Sequence, residues 1–241
     1  MQWPYEIAER DHEIQNPTSA EKIRRLGAYL RLGPDSSVLD LACGKAGPAL
    51  VLAREYGCRI TGVELRPAFA AAARDRVAAA GLGDRIEIHV GDARDFDAPA
   101  GRYDAAVCVG AAFVWGHIGD AAAAIAPTAR QGGAIAIGEP YWATPPDQGA
   151  AEDFVDLAST VDRFESAGVS LAGVIGSSVD EWDHYESQHW LAIGDWLLAN
   201  PDHQDAPEIR KQDRRLRDHY LLRRRGRLEW AIFVGRPHVL S

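Results

Sequence analysis

The amino-acid sequence predicts one α/β domain in which helices cover both faces of a mostly parallel sheet. Short apolar runs typical of buried strands alternate with helical stretches over about the first 140 residues. Helices of about ten residues can carry the chain back across a sheet by right-handed crossovers, which makes consecutive strands parallel. The length of 241 residues suits one such domain with additions better than two separate domains.

The first half of the chain contains five predicted strands. Thr18, with Glu21 three residues later, predicts a capping box that begins a helix, and Gly33-Pro34 ends that helix. Strands are expected at residues 38–42, 59–64, 86–90, 103–109 and 134–138, with helices at 47–55, 67–81 and 120–129. In such sheets ligands bind at the carboxyl ends of the strands, near the point where the strand order reverses.

The pattern changes after Glu139. Residues 141–168 are predicted to form a loop with one or two helices, followed by a strand at 169–177. Helices are expected at 180–200 and 206–224, and a closing strand at 228–235. An insertion of about 50 residues therefore separates the last two strands, a position where substrate lids are built.

Charge and hydropathy exclude several classes of protein. The net charge of −9 argues against a general nucleic-acid binder. Residues 210–227 are an exception, with nine Lys or Arg against two Asp, and indicate either a phosphate-binding or tRNA-binding patch or a solvated helix facing acidic neighbours. The apolar stretch 105–118 is too short to cross a membrane, and the N-terminus has no signal-peptide pattern, so a cytoplasmic location is expected.

Cysteine usage gives no support for a disulfide framework. Cys43, Cys58 and Cys108 are an odd number and show no C-x-x-C spacing, so we predict no metal site either. Cys43 is interpreted as a small residue in a tight turn, with a reactive thiol as the alternative.

Acidic residues end three of the predicted strands. In VLDLACGKAGPAL, residues 38–50, Asp40 is followed by small residues that allow a ligand to approach the backbone and the next helix N-terminus. Glu64 lies at the end of the second strand, where a carboxylate can accept both hydroxyls of a ribose. Asp92 follows the third strand, where it can accept from an adenine amino group beside the backbone N–H of Ala93.

These motifs resemble the class I S-adenosylmethionine-dependent methyltransferases. Asp-x-x-x-Gly, Gly-Val-Glu and Gly-Asp-Ala carry the resemblance, together with GLGDRIEIHVGDA at 81–93 and GGAIAIGEPYW at 132–142. The likeness covers residues 35–140, and residues 180–202 resemble a bacterial branch whose substrates are mostly unassigned. It implies a Rossmann-like, seven-stranded sheet with an antiparallel last strand and a helical insertion before that strand.

The resemblance also implies S-adenosyl-L-methionine as cofactor and assigns its contacts. Gly44 and its neighbours would pass under the methionine part, Glu64 would hold the ribose, Asp92 the adenine, and Val109-Gly110 would flank the sulfonium. The predicted cofactor-binding set is Asp40, Ala42, Gly44, Lys45, Glu64, Leu65, Asp92, Ala93, Val109 and Gly110.

The Gly-rich loop departs from the family's Gly-x-Gly-x-Gly pattern. Ala42 and Ala46 occupy the first and third glycine positions, and because alanine disfavours positive φ we expect both in an ordinary backbone region. Lys45 is unusual beside a cationic cofactor, and is expected either to pair with the methionine carboxylate or to be solvated.

Two alternative functions follow from the same motifs. A nicotinamide dehydrogenase would carry G-x-G-x-x-G directly after its first strand, and this chain lacks that spacing. A non-catalytic S-adenosylmethionine-binding protein with a retained fold would keep Glu64 and Asp92. The three acidic residues could each cap a strand end, but their joint spacing favours the cofactor site.

Methyl transfer from a sulfonium to a small-molecule acceptor is an in-line displacement. This reaction does not require any particular catalytic residue. The candidates for a catalytic role are Glu139, His12 and His117, for which loop contacts, packing or surface positions are the alternatives.

We expect one domain over 1–241, with a helical cap (1–34), a cofactor core (35–140), substrate-side helices and a lid (141–227) and a closing strand (228–236). The oligomeric state is not predicted.

Aromatic residues are the predicted substrate-binding groups. Trp182, Tyr185, His189, Ile193 and Trp196 share one helical face, which either lines a substrate pocket as a lid or packs against the sheet. The opposite face, with Glu181, Asp183, His184 and Asp195, is expected in solvent. The predicted substrate-binding set is Trp115, Tyr141, Trp142, Trp182, Tyr185 and His189.

Overall fold

A computed structural model describes residues 4–144 and 154–238, which build a seven-stranded sheet in the order β3-β2-β1-β4-β5-β7-β6. The first five strands run parallel, and β7 is antiparallel to its neighbours β5 and β6. The predicted fold class is confirmed. The strands are β1 (Ser37–Leu41), β2 (Arg59–Glu64), β3 (Ile86–Val90), β4 (Tyr103–Val109), β5 (Ala129–Trp142), β6 (Val169–Gly176) and β7 (Leu228–Pro237).

Eight α-helices lie within the described residues, together with three 3₁₀ or π-helical turns. The helices are α1 (Tyr5–Ala8), α2 (Ala20–Leu30), α3 (Gly47–Tyr56), α4 (Pro67–Ala79), α5 (Ile118–Ile125), α6 (Leu157–Glu165), α7 (Val179–Ala199) and α8 (Ala206–His219). The turns are 3₁₀ at Ala112–Val114 and Ala126–Thr128, and π-helical at Tyr220–Arg224. No helix of 4–144 or 154–238 is long and apolar enough to cross a membrane.

The sheet separates two hydrophobic cores because successive side chains of a strand point to opposite faces. Val38 of β1 belongs to the core that includes residues of α2, α3 and α4, whereas the next residue, Leu39, belongs to the core that includes residues of α5 and α6. Both side chains are fully buried, and burial of a side chain of this size contributes about 1.5–3 kcal/mol to folding. This packing on both faces explains why the strands are apolar runs.

The N-cap of α2 is one residue later than predicted. Ser19, not Thr18, has extended backbone angles and accepts the N–H of Lys22 on its hydroxyl. Glu21 pairs instead with Arg25 one turn further on. The Thr18 N–H is already bonded to the carbonyl of Asn16, so the chain is still turning there and the helix begins at Ala20.

Strand β5 is longer than the predicted 134–138. It pairs with β7 as far as Trp142, opposite Leu228, so the ladder continues through Pro140. The glycines at 132 and 133 and the proline at 140 hide this strand in the sequence, since both residue types normally mark strand ends.

Helix α7 packs against the N-terminal segment and α8. Ile193 forms a small buried cluster with Ala8 of α1 and Ile209 of α8, and Trp182 joins the larger core. The prediction that the opposite face is fully solvated is wrong at two positions. Glu181 pairs with Lys22, and Asp183 accepts hydrogen bonds from Tyr220 and Arg225. These bonds attach α7 to α2 and to the basic segment.

The basic segment 210–227 forms most of α8 and the turn after it, and several of its charges face acids. Arg225 pairs with Asp183 at 2.8 Å, and Arg217 and Asp213 lie 3.9 Å apart on α8. These pairs agree with the interpretation of a surface helix whose cations face acidic neighbours.

Candidate functional site

A cavity of about 580 Å³ opens at the carboxyl ends of β1, β2, β3 and β4. Of the ten predicted cofactor-binding residues, all except Lys45 line it. The N-terminal segment and α7 supply further walls. The lining from the strand ends includes Asp40, Ala42, Cys43, Gly44, Glu64, Leu65, Asp92, Ala93, Val109, Gly110 and Phe113, and the other walls supply Tyr5, Glu9, Gln15, Asn16 and Tyr185.

The turn after β1 contains three residues with left-handed backbone. Ala42 has φ of 57°, Gly44 of 56° and Ala46 of 60°. The expectation that both alanines keep an ordinary backbone region is wrong. A left-handed conformation costs an L-residue about 1–2 kcal/mol, so the surrounding packing holds the turn in place against this strain.

Glu64 fixes this turn from the neighbouring strand. Its Oε2 accepts the N–H of Gly44 at 2.9 Å, and its Oε1 accepts the N–H of Arg66 at 2.8 Å. Each carboxylate oxygen can accept more than one hydrogen bond. The carboxylate is therefore held rigidly at the cavity wall with acceptor capacity left for ligand hydroxyls.

Asp40 carries a buried carboxyl group whose Oδ2 has no hydrogen-bond partner within the described residues. Only 2% of the residue is exposed. Burial, and secondarily the charge of Glu64, raise the pKa of Asp40 to about 7. An uncompensated carboxyl group of this kind at a cavity wall suits a cationic ligand.

Asp92 is already engaged by a neighbour. The Arg94 guanidinium donates to its Oδ2 at 2.5 Å, and the Arg94 N–H donates to its Oδ1 at 2.9 Å. These bonds lower the pKa of Asp92 to about 2. The group is an oriented carboxylate, and a ligand amino group must share it with Arg94.

The polar segment before α2 closes over the turn after β1. Asn16 donates from Nδ2 to the carbonyl of Val109 at 2.8 Å, and Gln15 Oε1 accepts the N–H of Lys45 at 2.7 Å. A Cβ on Gly44 would lie 2.2 Å from Gln15 Oε1, and one on Gly110 would lie 1.7 Å from Asn16 Oδ1. Glycine suits both positions because their φ values of 56° and 94° are positive and because this segment lies so close.

Lys45 anchors the same segment. Only 6% of the residue is exposed, and its ammonium donates to the carbonyls of Glu9 and Arg10 at 2.5 and 2.9 Å. The solvated alternative is therefore wrong, and the cavity lining does not include this lysine. Its position depends on a segment more than 30 residues earlier, which local sequence pattern does not indicate.

Several cavity residues were not predicted from the sequence. Glu9, Gln15 and Asn16 come from a polar run, ERDHEIQN at 9–16, that has no helical period. A polar run without helical period directly before a capped helix is the signal that the sequence offers, because such a run indicates a loop. The others are Tyr5, Cys43, Gly47, Pro48, Arg66, Phe69, Arg94, Ala111, Phe113 and Val114.

Two predicted catalytic residues lie beside the N-terminus of α5, outside the cavity lining. His117 caps that helix, and its Nδ1 accepts the N–H groups of Gly119 and Asp120. Glu139 is buried, and burial raises its pKa to about 7 although a backbone hydrogen bond from Ile118 lowers it. A substrate role for either residue stays a prediction.

Among the predicted substrate-binding residues, only Tyr185 lines the cavity. Trp142 and Trp182 belong to one hydrophobic core, and Trp115 packs against the other. The Tyr141 hydroxyl donates to Glu229 at 2.5 Å. His189 and the remaining catalytic candidate, His12, lie together behind the cavity wall formed by Glu9 and Tyr185.

The fold and the cavity define an α/β protein that binds its ligand at the carboxyl ends of parallel strands. Residues 38–133 match a family described as a methyltransferase domain. A S-adenosylmethionine-dependent methyltransferase from Thiobacillus denitrificans, solved with S-adenosyl-L-homocysteine, is 31% identical, with a TM-score of 0.90 and coverage of 99% of this chain and 100% of that chain. Its counterpart from Geobacter sulfurreducens, solved with the same ligand, is 34% identical, with a TM-score of 0.90 and coverage of 97% of each chain.

The uncharacterized protein YjhP of Escherichia coli is 31% identical over 239 residues, covering 95% of this chain and 96% of YjhP. This chain belongs to the S-adenosylmethionine-dependent methyltransferases. Its methyl donor is S-adenosylmethionine, and the dehydrogenase alternative is wrong.

The observed site fits this cofactor. Asp40 offers an unpartnered buried carboxyl group to a cationic ligand, and Glu64 offers fixed acceptors for hydroxyls. Gly44 and Gly110 both line the cavity, where a backbone without a side chain lets a ligand approach closely.

Proposed function

We propose that the protein transfers the methyl group of S-adenosylmethionine to a small polar molecule bound in the same cavity, by in-line displacement. The observation that carries the proposal is a polar wall, formed by Glu9 and Tyr185, in the cavity that the cofactor motifs line. The cofactor supplies the electrophilic methyl group. The chain has to align the acceptor, exclude water and accept hydrogen bonds from it.

The polar wall combines an ionised carboxylate, Glu9, with a neutral hydroxyl, Tyr185. Although burial opposes it, the hydrogen bond and charge of His189 lower the pKa of Glu9, so Glu9 is a carboxylate at neutral pH. Burial and the charge of Glu9 raise the pKa of Tyr185, which keeps its hydroxyl protonated, and that hydroxyl lies 3.3 Å from Glu9 Oε1. Such a wall favours an acceptor that carries an N–H or O–H group.

The limited volume of the cavity favours a small acceptor. One cavity of about 580 Å³ has to hold both the cofactor and the acceptor, and segment 9–16 covers it. The net charge of −9 further disfavours nucleic acid as the acceptor. These features support a metabolite rather than a macromolecule.

The test is a screen for S-adenosylhomocysteine release across small hydroxyl and amine metabolites. With an active acceptor, Glu9→Gln should lower kcat at least tenfold and leave the affinity for S-adenosylhomocysteine within about threefold. Glu6→Gln is the matched control, because this exposed carboxylate lies in the same short helix. Release of product by no small molecule, or equal kcat losses in both variants, would overturn the proposal.

A further inference from the structure

Three potential metal ligands meet directly behind the polar wall. Glu9, His12 and His189 each contribute one ligand atom, and these atoms lie within 4.8 Å of one another. Glu9 ends the N-terminal helix and lines the cavity, whereas His189 comes from the middle of α7. The group therefore joins two parts of the chain beside the cavity, and Glu9 is its member in the cavity lining.

The hydrogen bonding of His12 leaves one ring nitrogen without a partner. Its Nε2 lies 3.0 Å from the carbonyl oxygen of Tyr185, and because that oxygen only accepts, the proton of the neutral ring belongs on Nε2. Nδ1 then carries a lone pair, and it has no hydrogen-bond partner among residues 4–144 and 154–238. The residue is 2% exposed, so this lone pair is costly unless a donor or a cation faces it.

Both ring nitrogens of His189 face carboxylates, so a metal ion would replace the proton on Nε2. Nε2 lies 3.3 Å from Glu9 Oε1, inside the group, and Nδ1 lies 3.8 Å from Glu186 Oε2, outside it. Metal-binding histidines characteristically use one nitrogen as ligand and direct the other to a carboxylate or a backbone carbonyl. Both histidines of the group have this arrangement.

We propose that Glu9, His12 Nδ1 and His189 Nε2 bind one divalent transition-metal ion. The 3.3 Å separation of Glu9 Oε1 and His189 Nε2 fits two ligands about 2.0–2.2 Å from an ion, at an angle of roughly 105°. The two imidazole rings lie with their centroids 4.4 Å apart. Two imidazoles and one carboxylate suit Zn²⁺ or Fe²⁺ rather than Mg²⁺ or Ca²⁺.

The surrounding charges allow a cation. The Lys45 ammonium bonds the carbonyl of Glu9 and opposes a metal ion electrostatically, but Glu9 and Glu186 bring two carboxylates to the group. Three protein ligands leave a coordination position open, as in catalytic rather than structural sites. If the proposed function holds, the ion would fix the Glu9 carboxylate in the cavity wall, where Glu9 is proposed to hold the acceptor.

The site escapes prediction from the sequence because its ligands are distant. His12 and His189 are separated by more than 170 residues, and the expectation of no metal rested on cysteine spacing. Only the packing of α7 on the N-terminal segment brings them together.

The test is a titration of the tag-free, chelator-treated protein with Co²⁺ alone, followed by its visible absorption bands, and with Zn²⁺ by calorimetry. We expect one ion per chain. His12→Gln and His189→Gln should each weaken binding at least tenfold. His184→Gln, on the exposed face of α7, is the matched control and should bind as the wild type does.

Absence of stoichiometric Co²⁺ and Zn²⁺ binding by the wild type would overturn the proposal, whatever the variants do. Equal affinity in His12→Gln and the wild type would overturn it too. S-adenosylhomocysteine binding is measured on the same samples without metal. If the wild type binds S-adenosylhomocysteine but no metal, only the proposed metal site is contradicted. If it binds metal but no S-adenosylhomocysteine, only the cofactor site is contradicted.

Discussion

The side chain of Glu64 holds the backbone of Gly44, with 2.9 Å between Oε2 and the amide nitrogen. This single contact connects the carboxyl end of β2 to the strained turn after β1. Two parts of the cavity wall, from separate strands, therefore depend on one carboxylate.

Glu64→Ala is expected to weaken S-adenosylhomocysteine binding by roughly 1.5–3 kcal/mol, about tenfold to 150-fold. The substitution removes the carboxylate that we predict to accept the ribose hydroxyls, and it takes away the acceptor of the Gly44 N–H. Calorimetry on folded protein measures the change, and Glu87→Ala on β3 is the control because that carboxylate is exposed. An unchanged affinity would contradict the ribose-binding role.

Asp40 should make cofactor binding depend on pH near neutrality. Its pKa of about 7 in the free protein must fall when a cationic ligand binds, because the ligand stabilises the carboxylate. The affinity ratio of wild type to Asp40→Asn should therefore fall about tenfold between pH 8 and pH 6. Using the ratio cancels the titration of the ligand itself, and a ratio independent of pH would contradict the prediction.

Glu139 should destabilise the folded chain when it is ionised. Its folded-state pKa of about 7 lies above the ordinary 4.5, so its contribution to stability increases as pH falls from about 7 towards 4.5. Glu139→Gln is expected to raise the free energy of unfolding by about 1–3 kcal/mol at pH 8 and to change it little at pH 4.5.

Denaturant unfolding at both pH values measures this difference, with the exposed Glu55→Gln as control. A change of equal size at the two pH values would count against the raised pKa. The same variant tests the predicted substrate role, which requires lower turnover with cofactor affinity retained within about threefold.

In the left-handed turn after β1, an alanine-to-glycine substitution is expected not to destabilise the protein, unlike the same substitution in a helix. Ala42→Gly should leave stability unchanged or raise it by up to about 1 kcal/mol, because glycine adopts a φ of 57° without strain. Ala49→Gly makes the same chemical change inside α3 and should cost about 1 kcal/mol or more. Equal losses in the two variants, measured by denaturant unfolding, would show that the turn is not strained.

Trp182 and Tyr185 should behave differently although they share one face of α7. Tyr185 lines the cavity, so Tyr185→Phe is expected to lower kcat/KM for the acceptor at least fivefold with cofactor affinity unchanged. Tyr29→Phe, with an exposed ring, is its control.

Trp182 is buried and stacks on Tyr220, so Trp182→Ala should cost about 3–5 kcal/mol of stability. Thermal melts of both variants decide between the two roles. Comparable stability losses would place Tyr185 in core packing as well.

The sequence predicts most of the sheet and half of the site, and the physical reason is the range of the contacts. β2, β3 and β4 begin and end where predicted, because apolar runs bounded by turn residues depend on local pattern. Glu64 and Asp92 are recognised because they end such strands. Glu9 and Gln15 are not recognised, since their place in the cavity depends on how the N-terminal segment folds back over a distant loop.

The most direct test of the account is to incubate the protein with S-adenosylmethionine labelled in its methyl group and a bacterial cell extract, and to separate the extract by molecular mass. The account predicts label in the small-molecule fraction, reduced at least tenfold by Glu9→Gln and not by Glu6→Gln. Label confined to protein or nucleic acid, or equal labelling by both variants, would contradict it.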